Sequence, residues 1–274
     1  MYESFFGLKN RPFSKTPDPK FIFYSKSHEE AFARLQHAVE EKELILLTGE
    51  VGSGKTTLSR ALMDSLGENY RIISIINPRL TPAQFIRFVA KRFDIDTAHT
   101  KDNLLELIYE KVYEDYNNGV TPVIIIDEAQ LIPDKGTFDE IRLLTNFQLD
   151  EENLLSLILI GQPDLRSRLE RRAYLPLRQR IGLSYHLNPL NDDEIREYIA
   201  HRLMIAGRTE PLFSEEAIKV ICKFSQGIPR VINNIASNSL LEGFGLEAQE
   251  IMKEIIYDVV HELRLNGVKK FNDQ

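Results

Sequence analysis

The stretch "ELILLTGEVGSGKTTLSRALMDSL", residues 43–66, decides how the rest of the chain is read. Its opening, "ELILLTG", is short, apolar and ends in glycine, the pattern of a buried strand running into a loop. Its close, "KTTLSRALMDSL", carries apolar residues at helical spacing. Between them "GEVGSGKTT" fits G-x-x-x-x-G-K-[ST] in the strand–loop–helix setting where that pattern binds phosphate. The candidate phosphate-binding residues are therefore Gly49, Glu50, Val51, Gly52, Ser53, Gly54, Lys55, Thr56 and Thr57. Glycines let the backbone curl until its N–H groups face phosphate oxygens, and the helix N-terminus adds partial positive charge. Lys55 would reach the β and γ phosphates, and the Thr56 hydroxyl would ligate Mg²⁺.

About seventy residues on, "VIIIDEAQ" supplies a second half. Its apolar β-branched run ends at Asp127, which sets that carboxylate at the carboxyl edge of a sheet, where it can hold Mg²⁺ through water. Glu128 stands at the same edge without having to bind metal, so it can polarise an attacking water. A helix and a strand lie between the two motifs, and a glutamate follows the aspartate. That arrangement favours a hydrolytic ATPase over a nucleotide kinase or a GTPase, and no N-K-x-D guanine-reading motif occurs. "LILIGQPDL" ends a further strand in Gln162, a polar side chain placed either to feel the γ-phosphate or the water, or simply to cap the next helix.

Working outward, "YRIISIIN", "TPVIIIDE" and "LLSLILIG" read as strands like the first, and "GLSYHLNPL" alternates as a fifth. Helical patterns separate them: "TPAQFIRFVAKRF", "KDNLLELIYEKVYEDYNN" and "FDEIRLLTNFQ". Strands alternating with helices mean a parallel sheet covered on both faces. After Pro189 strand signals cease and four helical stretches follow, several with polar caps (Asn191 or Asp192, Ser214) and terminal glycines. The expected division is an αβα sandwich with a parallel five-stranded sheet over residues 1–188, including an extended arm at 1–27. A small all-helical domain follows at 189–264, and the tail 265–274 is expected to fray.

Composition narrows the function classes. Net charge is -7; 10 basic and 14 acidic residues follow from Pro189 onward, 24 and 27 precede it, so neither part is basic enough to wrap nucleic acid by bulk charge. The segment "KNRPFSKTPDPK" interleaves cations with Phe; its prolines favour an arm packing on a neighbour over a phosphate contact. The single cysteine, Cys222, excludes an internal disulfide framework. No apolar run approaches the roughly 20 residues of a membrane helix, and the N-terminus lacks a signal pattern. A cytoplasmic protein without direct membrane insertion is expected.

These residues resemble the AAA+ ATPases, and more narrowly the ExeA/GspA-type ATPases of the general secretion pathway. The resemblance runs nearly the whole chain, through "YESFFGLKNRPFSKTPDPKFIFYSKSHEEAFARL", "GEVGSGKTT", "DEAQ", "LILIGQPDLRSRL", "LRQRI" and "GIPRVIN". It implies an αβα nucleotide domain with a helical lid, ATP and Mg²⁺ as ligands, and a homo-oligomer, ring or filament, with ATP at subunit interfaces. It further implies that Arg180 in "LRQRI" matches an arginine finger acting in trans, with Arg178 as the alternative. Arg230 in "GIPR" matches the lid's sensor arginine. Gln162 matches the sensor-1 position, where other branches often carry Asn, Thr or Ser. A membrane-anchored protein partner, and assembly of a secretion or pilus-type envelope machine, are the implied role. The second reading is a DNA-dependent regulator of transposition or recombination resembling the Mu transposition protein B.

The arginine-dense stretch "RSRLERRAYLPLRQRIG", residues 166–182, divides accordingly. If residues 164–173 are helical, Leu165 and Leu169 mark a buried stripe, and Arg168, Arg171 and Arg172 snorkel or meet a neighbouring subunit. Arg166 and Glu170 form a surface pair one turn apart. Arg178 and Arg180 go to the sheet edge.

Overall fold

The computed structural model describes residues 2–14, 21–98, 100–150 and 152–265. The expected tail falls almost wholly outside these residues, as does the second half of "KNRPFSKTPDPK". Two compact units emerge. One comprises Lys26–Glu50 and Leu58–Leu187; the other comprises Met1–Ser25, Val51–Thr57 and Asn188–Gln274.

The first unit is built on β1 (Leu44–Gly49), β2 (Tyr70–Ile75), β3 (Thr121–Ile126), β4 (Ser156–Gly161) and β5 (Ile181–Leu187). They form one parallel sheet in the order β2-β3-β4-β1-β5. β1 and β4 are buried along their whole length, which explains why both read as unbroken apolar runs. Helices α1 (Lys26–Glu40) and α2 (Lys55–Ser65) precede and follow β1. Then come α3 (Pro82–Arg92), α4 (Lys101–Asn117), α5 (Lys135–Leu144) and α6 (Pro163–Leu169).

Alternate residues of each strand sort onto two faces. Ile45, Leu47, Ile125, Ile158 and Ile160 pack with Leu35 of α1 and with Leu58 and Leu62 of α2. Leu46, Ile124, Ile126, Leu157 and Leu159 pack with Phe85, Ile108, Ile141 and Leu165 of the other four helices. The expected sandwich is present.

The second unit is helical. Its helices are α7 (Asp192–Ile205), α8 (Glu215–Ser225), α9 (Pro229–Gly245) and α10 (Lys253–Glu262), with an isolated bridge between Phe213 and Ile251. Asn191 and Glu194 close a capping box on α7, and the Ser214 hydroxyl accepts from Ala217 N–H at α8. At the end of α8 the chain reverses through Gly227 at φ +74°, where a Cβ would stand 2.1 Å from the Leu190 carbonyl oxygen. Only glycine satisfies both demands.

The N-terminal arm departs from expectation. It begins with a helical turn, Tyr2–Phe5, and buries Phe6, Leu8, Phe13 and Phe21 in one core with Ile199, Ile235 and Val259 of the helical unit. Arg202, 7% exposed, donates to the Pro12 carbonyl at 2.5 Å and lies over the Phe21 ring at 5.0 Å. Arg208 donates to the Phe6 carbonyl at 2.7 Å. The arm therefore packs on its own chain and groups with residues 188 onward, not with the sheet. Aromatic burial and two guanidinium clasps on its carbonyls decide this, and neither shows as periodicity.

Candidate functional site

The sheet unit gathers its polar strand tips at one edge. β1, β3 and β4 run parallel with Thr48 level with Gly161 and Ile126 level with Leu159, so Gly49, Asp127, Glu128 and Gln162 all leave at the carboxyl end. The connection after β1 carries the chain toward β2, and that after β4 toward β5 on the other side. β1 and β4 thus flank the switch point where α/β sheets open a crevice for ligands.

Asp127 is buried; its N–H donates to the Ile75 carbonyl at 2.9 Å, and its Oδ1 accepts the Glu128 N–H at 2.8 Å. Glu128 sits at φ +51°, a left-handed conformation that costs a non-glycine residue energy and recurs at functional sites. Its carboxylate Oε2 accepts from Gln130 Nε2 at 2.5 Å and from Gln162 Nε2 at 3.3 Å. Gln130 in turn accepts the Gln162 backbone N–H on its Oε1 at 3.2 Å. Of the residues expected from sequence, Glu128 and Gln162 are thereby joined. Gln130 is the member that sequence reasoning missed. Its one signal is position: two residues past Glu128, it lies in the short 3₁₀ turn Ala129–Leu131 that leads the chain away from β3.

Gln162 also precedes α6 with extended backbone but makes no side-chain cap. Its amide goes to Glu128 instead.

In the helical unit, the loop Val51–Thr57 shows the curled backbone that the motif demands, with Gly52 at φ +84° and Gly54 at φ +105°. Ser53 and Lys55 are buried. Arg230, the second residue of α9, donates its backbone N–H to the Gly52 carbonyl at 3.3 Å, and a Cβ on Gly52 would meet Arg230 Cβ at 2.5 Å. Arg230, the position that the resemblance matches to a sensor arginine, is thus seated against the loop by backbone as well as side chain.

These residues suit a nucleotide and Mg²⁺. The loop offers positive-φ glycines that turn amides one way, followed by Lys55, Thr56 and Thr57 in the first turn of an 11-residue helix. Among the described residues no cluster of three or more His, Cys, Asp or Glu could form a metal cage. The Thr56 hydroxyl in that turn and, in the sheet unit, the Asp127 carboxylate are each oxygen ligands of the kind that Mg²⁺ takes alongside phosphates and water.

The arginine stretch resolves differently from expectation. α6 ends at Leu169, and a 3₁₀ turn, Arg172–Tyr174, replaces the expected continuation to 173. Arg168 does not snorkel outward. It donates to the carbonyls of Ile132 at 2.6 Å and Gln130 at 3.4 Å and to Tyr174 Oη at 3.0 Å, and it lies over the Phe138 and Tyr174 rings. The carbonyls of the turn after Asp127 need donors, and Arg168 provides them. Arg166 and Glu170 pair at the surface at 3.7 Å.

Arg178 ends the short helix Leu175–Arg178, and Arg180 directly precedes β5. Both are exposed. Because Ile181 is level with Leu44, they stand at the amino end of the sheet, the opposite end from Asp127 and Glu128. Arg180 Nη2 donates to Asn146 Oδ1 at 2.9 Å. The sheet unit does not bring either arginine to its own acidic pair.

Comparison with known proteins agrees with this geometry. Residues 36–169 match the AAA domain family. General secretion pathway protein A of Aeromonas hydrophila is 38% identical over 258 residues, covering 92% of this chain and 46% of that protein. The chain thus spans about half the length of that curated relative. Two solved structures share the fold. The Aeropyrum pernix ORC1 protein in complex with DNA has TM-score 0.66 and 17% identity, over 93% of this chain and 69% of the other. The Thermotoga maritima RuvB Holliday junction branch migration motor has TM-score 0.58 and 21% identity, over 89% and 72%.

Proposed function

Residues 36–169 are an AAA domain of the P-loop type, in a chain similar over most of its length to general secretion pathway protein A, and from that premise we propose that the protein binds Mg²⁺–ATP and hydrolyses it. The observation that carries this reading is Glu128, fixed beside the buried Asp127 at the carboxyl edge by two glutamine amides.

Backbone amides of Gly49–Thr57 would cradle the phosphates, with Lys55 on the β and γ oxygens. Thr56 and, through water, Asp127 would hold Mg²⁺, which supplies charge neutralisation on the phosphate oxygens. Glu128 accepts the proton of the attacking water at a carboxylate oxygen, and Gln162, a donor already beside it, orients that water or the γ-phosphate. Arg230, seated on Gly52, is the lid cation for the γ-phosphate. Placement of Arg178 and Arg180 at the amino end of the sheet favours action on a neighbour's nucleotide, with Arg180 the finger and Arg178 its alternative. On this reading the protein works as a homo-oligomer.

The cellular role proposed is to drive assembly of a secretion or pilus-type envelope machine through a membrane-anchored partner. The sequence similarity to general secretion pathway protein A supports it. Among the described residues no helix is long and apolar enough to cross a membrane; the membrane contact proposed is the partner's. The domain assignment proposed is a nucleotide domain formed by the sheet unit and a lid formed from residue 189 onward.

The test compares Mg²⁺–ATP turnover of wild type and Glu128→Gln, each alone, with duplex DNA, and with membrane-partner or peptidoglycan fragments. We expect wild-type turnover, tight ATP binding without cleavage in the variant, and no stimulation by DNA. A rate raised by DNA that collapses with salt would replace the envelope role with the DNA-dependent one.

A further inference from the structure

The pair of amides on Glu128 is not symmetrical, and the asymmetry assigns Gln130 a role. Gln162 reaches Oε2 at 3.3 Å, a long hydrogen bond, whereas Gln130 makes the close one. Gln130 also uses its other end, because its Oε1 accepts the Gln162 N–H. The orientation of the Gln130 amide is therefore dictated: a backbone N–H can only donate and an ionised carboxylate can only accept, so oxygen faces Gln162 and nitrogen faces Glu128. One side chain closes a ring linking the tip of β3 to the tip of β4.

Two further features hold this ring. Gly161, the last residue of β4, leaves the space that Gln130 occupies: a Cβ there would stand 2.9 Å from Gln130 Oε1 and 2.6 Å from Leu165 Cδ2. The Gln130 carbonyl receives Arg168, whose other bond to the Ile132 carbonyl anchors the same turn. Gln130 is thus clamped at backbone and side chain, while Glu128 occupies a left-handed conformation that its own local preferences oppose.

We propose that Gln130 is a positioning residue for the hydrolytic reaction: it fixes the Glu128 carboxylate and, through the same amide, the register of Gln162. This rests on the assignment of Glu128 as the base in the reading above. Gln130 touches neither substrate nor metal in this role. It restricts the rotamers of the acid that does, as a preorganised site requires.

The test is a double-mutant cycle on the full chain, using Mg²⁺–ATP, with Gln130→Ala, Glu128→Gln and the pair, measured in single-turnover and steady state. Gln130→Ala is expected to lower kcat about 10- to 100-fold, the scale of one hydrogen bond to a charged group. KM and the affinity for a fluorescent ATP analogue should stay within about threefold. In the Glu128→Gln background, adding Gln130→Ala should cost less than about twofold, because the carboxylate it positions is already gone. An equal loss in both backgrounds, or a KM effect with kcat intact, overturns the proposal. So does a kcat loss that tracks a lowered unfolding midpoint and is recovered on cooling. Near-normal turnover by Glu128→Gln alone would instead fail the hydrolysis reading itself, a result separable from any outcome at Gln130.

Discussion

Gly52→Ala tests whether loop and lid helix are one piece. At φ +84° the substitution costs about 1–2 kcal/mol for a left-handed L-residue. The new Cβ would also meet Arg230 Cβ at 2.5 Å, with Arg230 Cδ at 3.2 Å and Nε at 3.3 Å. The outer atoms can swing away, but Cβ is fixed to the backbone of α9. Carbon atoms settle near 3.5 Å, so loop or helix must retreat by about 1 Å, and the 3.3 Å bond from Arg230 N–H to the Gly52 carbonyl is lost.

A displacement of that size in a site built on aligned amides costs about 10²-fold. ATP affinity, read by titration calorimetry, should fall by at least that factor. Gly52→Ala with Arg230→Gly removes the colliding atom but not the φ strain, so it should recover part of the loss and leave about a tenfold deficit. Because that double variant also removes a guanidinium, Arg230→Gly alone supplies the baseline. Unchanged affinity and unchanged urea midpoint in Gly52→Ala would refute the reasoning outright.

Arg180→Ala should lower specific ATPase activity by roughly 10³-fold, the scale of a lost arginine finger; wild-type activity per subunit should rise with protein concentration while the variant's stays flat. Arg168→Met keeps the aliphatic stem but strips the donors from the Ile132 carbonyl and Tyr174. It should lower the melting temperature by roughly 5–10 °C, read by scanning calorimetry. His201, whose Nδ1 is buried without a partner, is held below its ordinary pKa by burial and by the Arg202 charge. A histidine depressed in the folded state contributes stability that is present above its unfolded pKa near 6.5 and is lost as pH falls through the folded value. The urea midpoint should therefore fall more steeply from pH 7 to pH 5 in wild type than in His201→Gln, and equal slopes would remove His201 from the account.

The phosphate loop was legible because three constraints coincide there: an apolar run, positive-φ glycines and a helix start. The strand tips were legible for a similar reason, since β3 and β4 are apolar on both faces and end abruptly at Asp127 and Gln162. What escaped was everything decided by a partner distant in sequence. Gln130 belongs to no repeat, and its role depends on Gln162 thirty-two residues away. Arg168 sits on the helical face expected to flank a buried stripe, yet carbonyls of the turn after β3 pull it inward. The N-terminal arm carries Pro and Phe suited to packing, but nothing local says that Arg202 and Arg208 will receive it. Periodicity reports that a face is apolar and is silent on what covers it.

β5 carries a consequence for how this protein can be divided. The match to the AAA domain family stops at residue 169, before Ile181–Leu187. Yet β5 pairs with β1 from Leu44 to Gly49, the strand that leads into the phosphate loop. A fragment trimmed to residues 36–169 would turn β1 into an edge, exposing a ladder of unpaired amides and carbonyls along a strand that is otherwise wholly buried. Such a piece is a template for aggregation rather than a minimal ATPase. The sheet has to run through Leu187 to keep β1 covered, so the limit of the family match and the limit of the folded sheet fall at different residues.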